Sequence, residues 1–554
     1  MTTRSRAYRA THDPDQTLAP ALHEFKAEVD AHHGVDVAGV KRIAEAIKLP
    51  IATVRGAVSS FDDCKHDPSA IRVCSGTSCS LAGGGEIARE LSKTHACQGV
   101  YCLGYCDRSP VAMTPAGHVV PSLSLRTLGA LTPGANPPHP APSSIRTASR
   151  HAIVTARLAG NTSSPEAMPD YTGLRAALRL SPEKTVEVML AAGIKGRGGA
   201  AYPTGRKWQL AAKAAGSPKY VVANGDEGDP GSFIDRELME RDPHSIIEGM
   251  AICAHAIGAA HGYVFIRSEY PVSSDVMTRA IAAATAAGFL GSNALGAGKP
   301  FTIEIIRGMG SYVCGEETAL LAAIEGQRGE VWPRPPFPVD AGLFGKPTVV
   351  DNVETLNNIP WIFERGADAY AAVGTADSKG TKALCFNHGF AKPGIVEIDF
   401  GVTLRTAIEE LAGGSADGRP LEAVLLGGPM GSIVTPDQWD APICFAGMAR
   451  RGITLGHGGM IAIPRGVDWR ALLHHLLTFM RDESCGKCVP CRMGTIRAHE
   501  LSKKGLTRND APQLERILAL MKEASLCAFG RETPGPVKTI LEKFAPSAFA
   551  ETRP

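Results

Sequence analysis

Along the chain, apolar residues change their spacing several times, and each change predicts a different kind of element. Between residues 20 and 60 they recur at helical intervals, as at Val40, Ile43, Ala44 and Ile47. Leu49-Pro50 ends one helix, and residues 53–60 predict the next. From 69 to 126 the pattern shortens. Ile71-Arg72-Val73, Gly99-Val100-Tyr101 and Val111-Ala112-Met113 read as strands around a helix at 85–91, a small α/β unit. Residues 132–149 are rich in Pro, Ser and Ala and read as a linker. A longer α/β region spans about 165 to 370. Its strands are predicted at Tyr220-Val221-Val222-Ala223, at 262–267 and at 301–306, with helices at 186–192, 245–260 and 274–287. Such alternation predicts a mostly parallel, covered sheet. Residues 380–465 hold more strands and glycine. From Trp469 onward the pattern is helical, with Leu472, Leu473, Leu476, Leu477 and Met480 on one face.

At 554 residues the chain is too long for one core. The expected division is 1–126, a linker at 127–164, then 165–370, 371–465 and 466–554. Lys and Arg number 58 against 56 Asp and Glu, so no basic excess points to nucleic acid. That argues against reading the first two helices as a helix-turn-helix DNA reader. No apolar run approaches the ~18 residues of a membrane span, and no secretory signal is evident. A cytoplasmic location is expected. In that reducing setting 14 cysteines suit metal or redox chemistry better than disulfides.

The cysteines fall into two sets. Cys485-x2-Cys488-x2-Cys491, followed by Cys527, has the spacing of a [4Fe–4S] site, whereas structural zinc usually takes two separated pairs. Cys74-x4-Cys79 with Cys102-x3-Cys106 suits a [2Fe–2S] rhomb, each pair holding one iron. Zinc remains the competitor for this second set.

Gly196-Arg197-Gly198-Gly199-Ala200-Ala201 fits a dinucleotide fingerprint, but a helix rather than a strand precedes it, so a structural turn is an equal reading. Arg197 and Lys207 stand close enough in sequence to meet phosphate. Asn224-Gly225-Asp226-Glu227-Gly228-Asp229-Pro230-Gly231 follows a strand, at the end where α/β ligands bind. Tyr312, Gly315, Glu316 and Glu317 lie at a helix start, Phe337 follows a stiff proline loop, and Asp351, Asn352 and Thr355 add polar groups. Each segment alone could be capping or turn chemistry. No Walker A motif or nucleophile elbow competes.

Together the strings GRGGAAYPTGRKW, NGDEGDPGSFIDR, YVCGEETAL, RPPFP, GKPTVVDNVET and SCGKCVPCRMGT…SLCAFG resemble the NADH-binding flavoprotein subunit of respiratory complex I, over roughly residues 150–550. CSGTSC and CLGYCDRSPVAM resemble its thioredoxin-like [2Fe–2S] partner in shortened form. Fusion of the two looks like the diaphorase subunits of NAD-dependent formate dehydrogenases and NAD-reducing hydrogenases. The resemblance implies a multidomain α/β fold: a thioredoxin-like ferredoxin domain, a Rossmann-like FMN/NAD domain, a β-grasp-like domain and a C-terminal helix bundle. It implies FMN held by Gly196, Arg197, Gly198, Lys207, Asn224, Asp226, Tyr312, Gly315, Glu316, Asn352 and Thr355. NAD(H) is expected to stack near Tyr202 and Phe337, with Glu317 near the adenosine ribose, where a carboxylate repels a 2′-phosphate. Glu227 and Asp229 are expected to orient groups or tune the flavin rather than transfer protons. Relatives carry Phe at Tyr202, Glu at Asp229, Lys at Arg334, Asn at Asp351 and an aromatic residue at Leu210; a carboxylate at Asp351 is expected to alter the flavin's potential.

The expected function is an NADH dehydrogenase-type subunit: hydride exchange between NAD(H) and FMN, then single-electron transfer through [4Fe–4S] to the catalytic and iron–sulfur subunits of a larger complex. A formate dehydrogenase is the favoured setting; a nickel–iron hydrogenase and an electron-bifurcating complex are the alternatives. The [2Fe–2S] cluster is expected to be a side store or second exit.

Overall fold

A computed structural model of the chain describes residues 20–544, apart from 33, 66, 68, 132–136, 159–163, 295, 297 and 504. Near the N-terminus, β1 (Ile71–Cys74), β2 (Cys97–Val100), β3 (Ala112–Met113) and β4 (Val119–Val120) form a four-stranded sheet in the order β2-β1-β3-β4. The helix Gly84–Leu91 packs its Ile87 and Leu91 onto it. The proline-rich stretch that follows is not all linker. Ile145-Arg146-Thr147 forms β5 (Ile145–Thr147), and the Arg146 guanidinium fixes it by donating to the carbonyls of Leu411 and Lys392, each at 2.8 Å.

The central sheet is all parallel and contains β6 (Tyr220–Gly225), β7 (His261–Ile266), β8 (Thr302–Arg307) and β9 (Thr348–Asn352), in the order β8-β7-β6-β9. Sequence reading found the first three and missed β9, although Thr348-Val349-Val350 is a β-branched run. Alternate side chains leave opposite faces, as the period of two requires. Val221, Ala223, Val264, Ile266 and Val349 face one core with the helix Pro243–Ile257, which is buried along its whole length. Tyr220, Val222, Tyr263, Phe265 and Val350 face the other.

That second face is covered by the helices Leu22–His32, Val37–Ala46 and Ile51–Val58. The last two resembled a DNA reader in sequence. Their apolar positions Val40, Ile43, Ala44, Ile47, Val54 and Ala57 are instead spent on the central sheet, so they pack away from the small sheet that follows them in the chain.

The third sheet is mixed: β10 (Thr381–Phe386), β11 (Gly394–Asp399), β12 (Leu421–Leu426), β13 (Ser432–Val434) and β14 (Gly459–Pro464) join β5 in the order β13-β12-β14-β10-β11-β5. The helices Trp469–Asp482, Val489–Lys503, Ala511–Ala524 and Pro534–Lys543 form the C-terminal end. Trp469–Asp482 buries the predicted face, Leu472, Leu473, Leu476, Leu477 and Met480. Among the described residues no helix is long and apolar enough to cross a membrane.

Candidate functional site

The carboxyl ends of β6 and β9 form the floor of a cleft, the end at which parallel sheets present ligands. Register places Asn224 beside Asn352 there. Asn224 Nδ2 donates to Gly315 O at 2.8 Å, and its Oδ1 accepts the Asp226 N–H at 3.1 Å. Asn352 caps the helix Val353–Arg365 by accepting the Thr355 N–H at 3.2 Å, while its Nδ2 donates to Asp235 Oδ2 at 2.6 Å.

The glycine-rich loop closes over this floor. Gly193, at φ 66°, ends the helix Pro182–Ala192, and the chain doubles back so that the Gly196 N–H donates to Tyr202 O at 2.9 Å. The loop lies so close to Asn352 that a Cβ on Gly198 would come within 3.0 Å of the Asn352 Cβ. The Arg197 N–H donates to Thr355 Oγ1 at 2.8 Å. The Arg197 side chain, expected from its position to lie near phosphate, turns into the protein. It is fully buried, donating to the Lys195 carbonyl, the Tyr370 hydroxyl and the Lys379 carbonyl at 2.8, 2.9 and 2.7 Å, over the Phe400 ring. It ties the loop to the third sheet.

Lys207 Nζ donates to Val350 O at 2.6 Å and to Asp351 Oδ1 at 2.9 Å, and Trp208 Nε1 donates to Asp351 Oδ2 at 2.8 Å. Burial opposes the Lys207 charge, but Asp351 outweighs it and raises the ammonium's pKa. Asp351 is thus matched by a cation inside the protein.

Residues 226–236 make one wall. Asp226 is half-buried with its Oδ2 fully buried and without a hydrogen-bond partner among the described residues, and desolvation pushes its pKa well above the ordinary value. Asp229 accepts the Tyr312 hydroxyl, and burial raises its pKa also. A Cβ on Gly228 would meet the Tyr312 ring at 2.7 Å. Glu227 points into the wall: Oε1 accepts the Ser232 hydroxyl and the Asp235 N–H, and Oε2 accepts the Arg236 N–H, at 2.9, 3.0 and 3.0 Å. Burial, then the nearby Asp235, push its pKa up to about 7.

Opposite, Glu316 caps the helix Glu317–Ile324 by accepting the N–H groups of Thr318 and Ala319. Glu317 Oε1 pairs with Arg334 Nη1 at 2.7 Å, and Glu316 lies 3.5 Å from the same guanidinium. Tyr202 is 45% exposed and Phe337 50%, so both rings are open to a ligand.

Sequence reading missed the wall contributed by the third sheet. Gly199 packs on Gly456, and Gly428 on the Asp229 carboxylate. Between them His457 reaches Ser232 Oγ with Nδ1 at 2.9 Å and Asp235 Oδ2 with Nε2 at 3.3 Å. Burial opposes a charge on His457, but Asp235 and then Glu227 outweigh it and hold its pKa up at about 9. Glu227, Asp235 and His457 lie close enough to hold a cation. Every carboxylate oxygen already accepts an N–H or O–H, so the imidazole's own proton fills that role. The only sequence signal was a histidine within Gly456-His457-Gly458-Gly459, which reads as a tight turn.

Both predicted cysteine sets converge. Cys74 faces Cys79 and Cys102, and Cys102 Sγ lies 3.4 Å from Cys106 Sγ. This group is pressed against the wall: the Gly231 N–H donates to Cys106 Sγ at 3.3 Å, and Arg267 bridges the carbonyls of Glu227 and Tyr101 at 2.6 and 2.7 Å. Cys485, Cys488, Cys491 and Cys527 share one apolar cluster with Phe479 and Phe529. A Cβ on Gly530 would come 2.9 Å from the Cys491 Cβ, so the Cys527 turn seats directly on Cys491. The Tyr312 ring packs between Phe479 and Phe529, at centroid distances of 5.0 and 5.9 Å.

The cleft's chemistry fits a flavin mononucleotide. Asp226 Oδ2 is a buried polar atom that a polar edge of the flavin ring would satisfy, and glycine lines the loop above the sheet. Two four-thiol groups suit two iron–sulfur clusters.

Comparison with known proteins agrees. Residues 189–361 match the Nuo51 FMN-binding domain, 471–550 the NADH-ubiquinone oxidoreductase-F iron–sulfur binding region, and 5–128 the thioredoxin-like [2Fe–2S] ferredoxin family. The chain is 40% identical to the NADP-reducing hydrogenase subunit HndC of Solidesulfovibrio fructosivorans, over 69% of this chain and 80% of that one. It is 42% identical to the NADH-quinone oxidoreductase F subunit of Escherichia coli (strain K12), over 68% and 86%. A crystal structure of NAD+-reducing [NiFe]-hydrogenase in the H2-reduced state contains a chain that superposes with a TM-score of 0.83 at 29% identity, covering 97% of this chain and 94% of that one. The cofactor set is therefore FMN, NAD(H), one [4Fe–4S] and one [2Fe–2S] cluster. With a flavin cleft flanked by two sets of thiols, the chain belongs to the family of NADH-quinone oxidoreductase F subunits, as an NADH dehydrogenase-type oxidoreductase subunit.

Proposed function

We propose that this chain exchanges electron pairs with NAD(H) at the cleft and passes them singly to partner subunits of a cytoplasmic redox complex. Bound FMN supplies the conversion between a hydride and single electrons. The chain's residues position the reactants and keep water out. In this reading Gly196, Gly198 and Lys207 hold the phosphate side, while Asn224, Asp226 and Asn352 meet the ring. Tyr202 and Phe337 receive the nucleotide, with Glu317 at its ribose. Cys74, Cys79, Cys102 and Cys106 hold [2Fe–2S]; Cys485, Cys488, Cys491 and Cys527 hold [4Fe–4S].

One observation carries the proposal: both thiol groups abut the same cleft. Cys106 takes an N–H from Gly231 in its wall, and Tyr312, bonded to Asp229, packs on Phe529 beside Cys527. The full chain reconstituted with iron, sulfide and FMN is expected to bind about one flavin and to reduce an artificial dye with NADH. Failure to do either refutes the reading. For the partner, a formate dehydrogenase is the favoured reading of a sequence resemblance that covers both, and the hydrogenase likeness over 97% of the chain supports the alternative. Molybdenum or tungsten in the purified native complex selects the first, and nickel the second.

A further inference from the structure

We propose that His457 is a positioning residue of the flavin site: by binding Asp235 and Glu227 from the third sheet, it fixes Asn352 and sets the charge that the flavin experiences. This rests on the function proposed above and deepens it. His457 sits on a turn between two sheets. Its Nδ1 lies 2.9 Å from Ser232 Oγ and 3.6 Å from Glu227 Oε1, and its Nε2 lies 3.3 Å from Asp235 Oδ2. The Asn352 amide converges on the same Asp235 oxygen at 2.6 Å, 3.3 Å from His457 Nε2. Asp235 Oδ1 accepts the Glu354 N–H at 3.1 Å, so the same carboxylate also anchors the helix that Asn352 caps.

The surrounding charges define the electrostatics. Glu227 and Asp235 face the imidazole from the wall, and Asp229 lies further along it. From β10, Lys382 approaches through Gly458, where a Cβ would stand 3.1 Å from its Nζ. Lys382 is itself paired with the buried Glu354. With Lys382 and Glu354 matched, the His457 proton is the cation that offsets Glu227 and Asp235. All five groups are nearly or fully buried, so water screens them little. Removing that cation leaves unmatched negative charge beside Asn352 and makes a reduced, more electron-rich flavin less favourable. Neutralising Asp235, with Glu227 still holding the proton on the imidazole, does the opposite. A scaffold role alone would loosen the site in both variants and shift the flavin in one direction.

The test is spectroelectrochemical titration of the bound flavin in the reconstituted full-length protein, with the clusters checked by electron paramagnetic resonance. His457→Gln is expected to shift the reduction equilibrium at least tenfold toward oxidised flavin, about 30 mV for two electrons. Asp235→Asn, which keeps one of the two acceptor oxygens and removes the charge, is expected to shift it toward reduced flavin. Equal potentials in wild type and variants, or shifts of the same sign, overturn the proposal. Should His457→Gln fail to assemble, the sign of the Asp235→Asn shift decides alone. Wild-type protein without bound flavin would refute the proposed function itself, a different and separately visible result.

Discussion

The ion pair between Glu317 and Arg334 sets a local balance of charge at the end of the cleft proposed to receive the nucleotide. Glu317→Gln removes a carboxylate that repels a 2′-phosphate and releases a guanidinium that attracts one. The ratio of kcat/KM for NADPH to that for NADH should rise about tenfold; an unchanged ratio would place Glu317 away from the ribose. Glu248 makes a different kind of prediction. It is buried on the helix Pro243–Ile257 and accepts the Leu174 N–H at 2.9 Å; its Oε2 has no hydrogen bond among the described residues and lies 3.9 Å from Arg157 Nη2. Burial pushes its pKa up to about 7 from the usual 4.5. Relative to the unfolded chain, the folded state therefore favours the protonated carboxyl. The stability this gives is full below about pH 4.5 and is lost as pH rises through 7. Glu248→Gln should flatten that decline, by about 1–3 kcal/mol at pH 8, in thermal unfolding scans run from pH 5 to pH 8. At this scale the sequence revealed residue types but not their partners. Arg197 looked like a phosphate ligand because it stands in a glycine loop, yet its acceptors lie at Tyr370 and Lys379, far along the chain. Asp235 and His457 had no visible motif because 221 residues separate them and only packing joins them.

Among the elements, the loop of residues 196–202 depends on the third sheet as much as on its own helix. The Arg197 guanidinium is the link, so Arg197→Met should strand one buried and two part-buried acceptors and lower stability by about 3 kcal/mol, read from the denaturation midpoint. A midpoint within 0.5 kcal/mol of wild type would show that the link is dispensable. Of the strands that sequence patterning identified, β6 and β7 are apolar runs with glycine or polar punctuation. β9 was missed because Thr348–Asn352 runs straight into the helix it precedes, leaving no turn residues to mark its end. β5 was hidden by the proline and serine around it. The N-terminal helices were recognised as helices, but the surface they cover could not be read: an amphipathic face states that it will be buried, not against what.

For the whole molecule, the cysteines were the clearest text, because spacing is a local property that ligand chemistry constrains directly. Their sites are joined through the cleft yet rest on different parts of the fold. Cys527→Ala should abolish the [4Fe–4S] resonance signal while leaving the [2Fe–2S] signal and bound FMN. NADH-to-dye activity should persist in part, and delivery to partner subunits should stop. Loss of every signal would show that the two cluster regions fold as one unit. The contact between Gly231 and Cys106 carries a further consequence. One backbone amide from the nucleotide-handling region grips a sulfur of the small ferredoxin, with Arg267 clasping both from behind. In proteins that make these regions as separate polypeptides, such a seam must be found by diffusion and can be lost by dilution. Here a single translation product delivers both halves in equal number, and the seam survives at any concentration at which the chain itself stays folded.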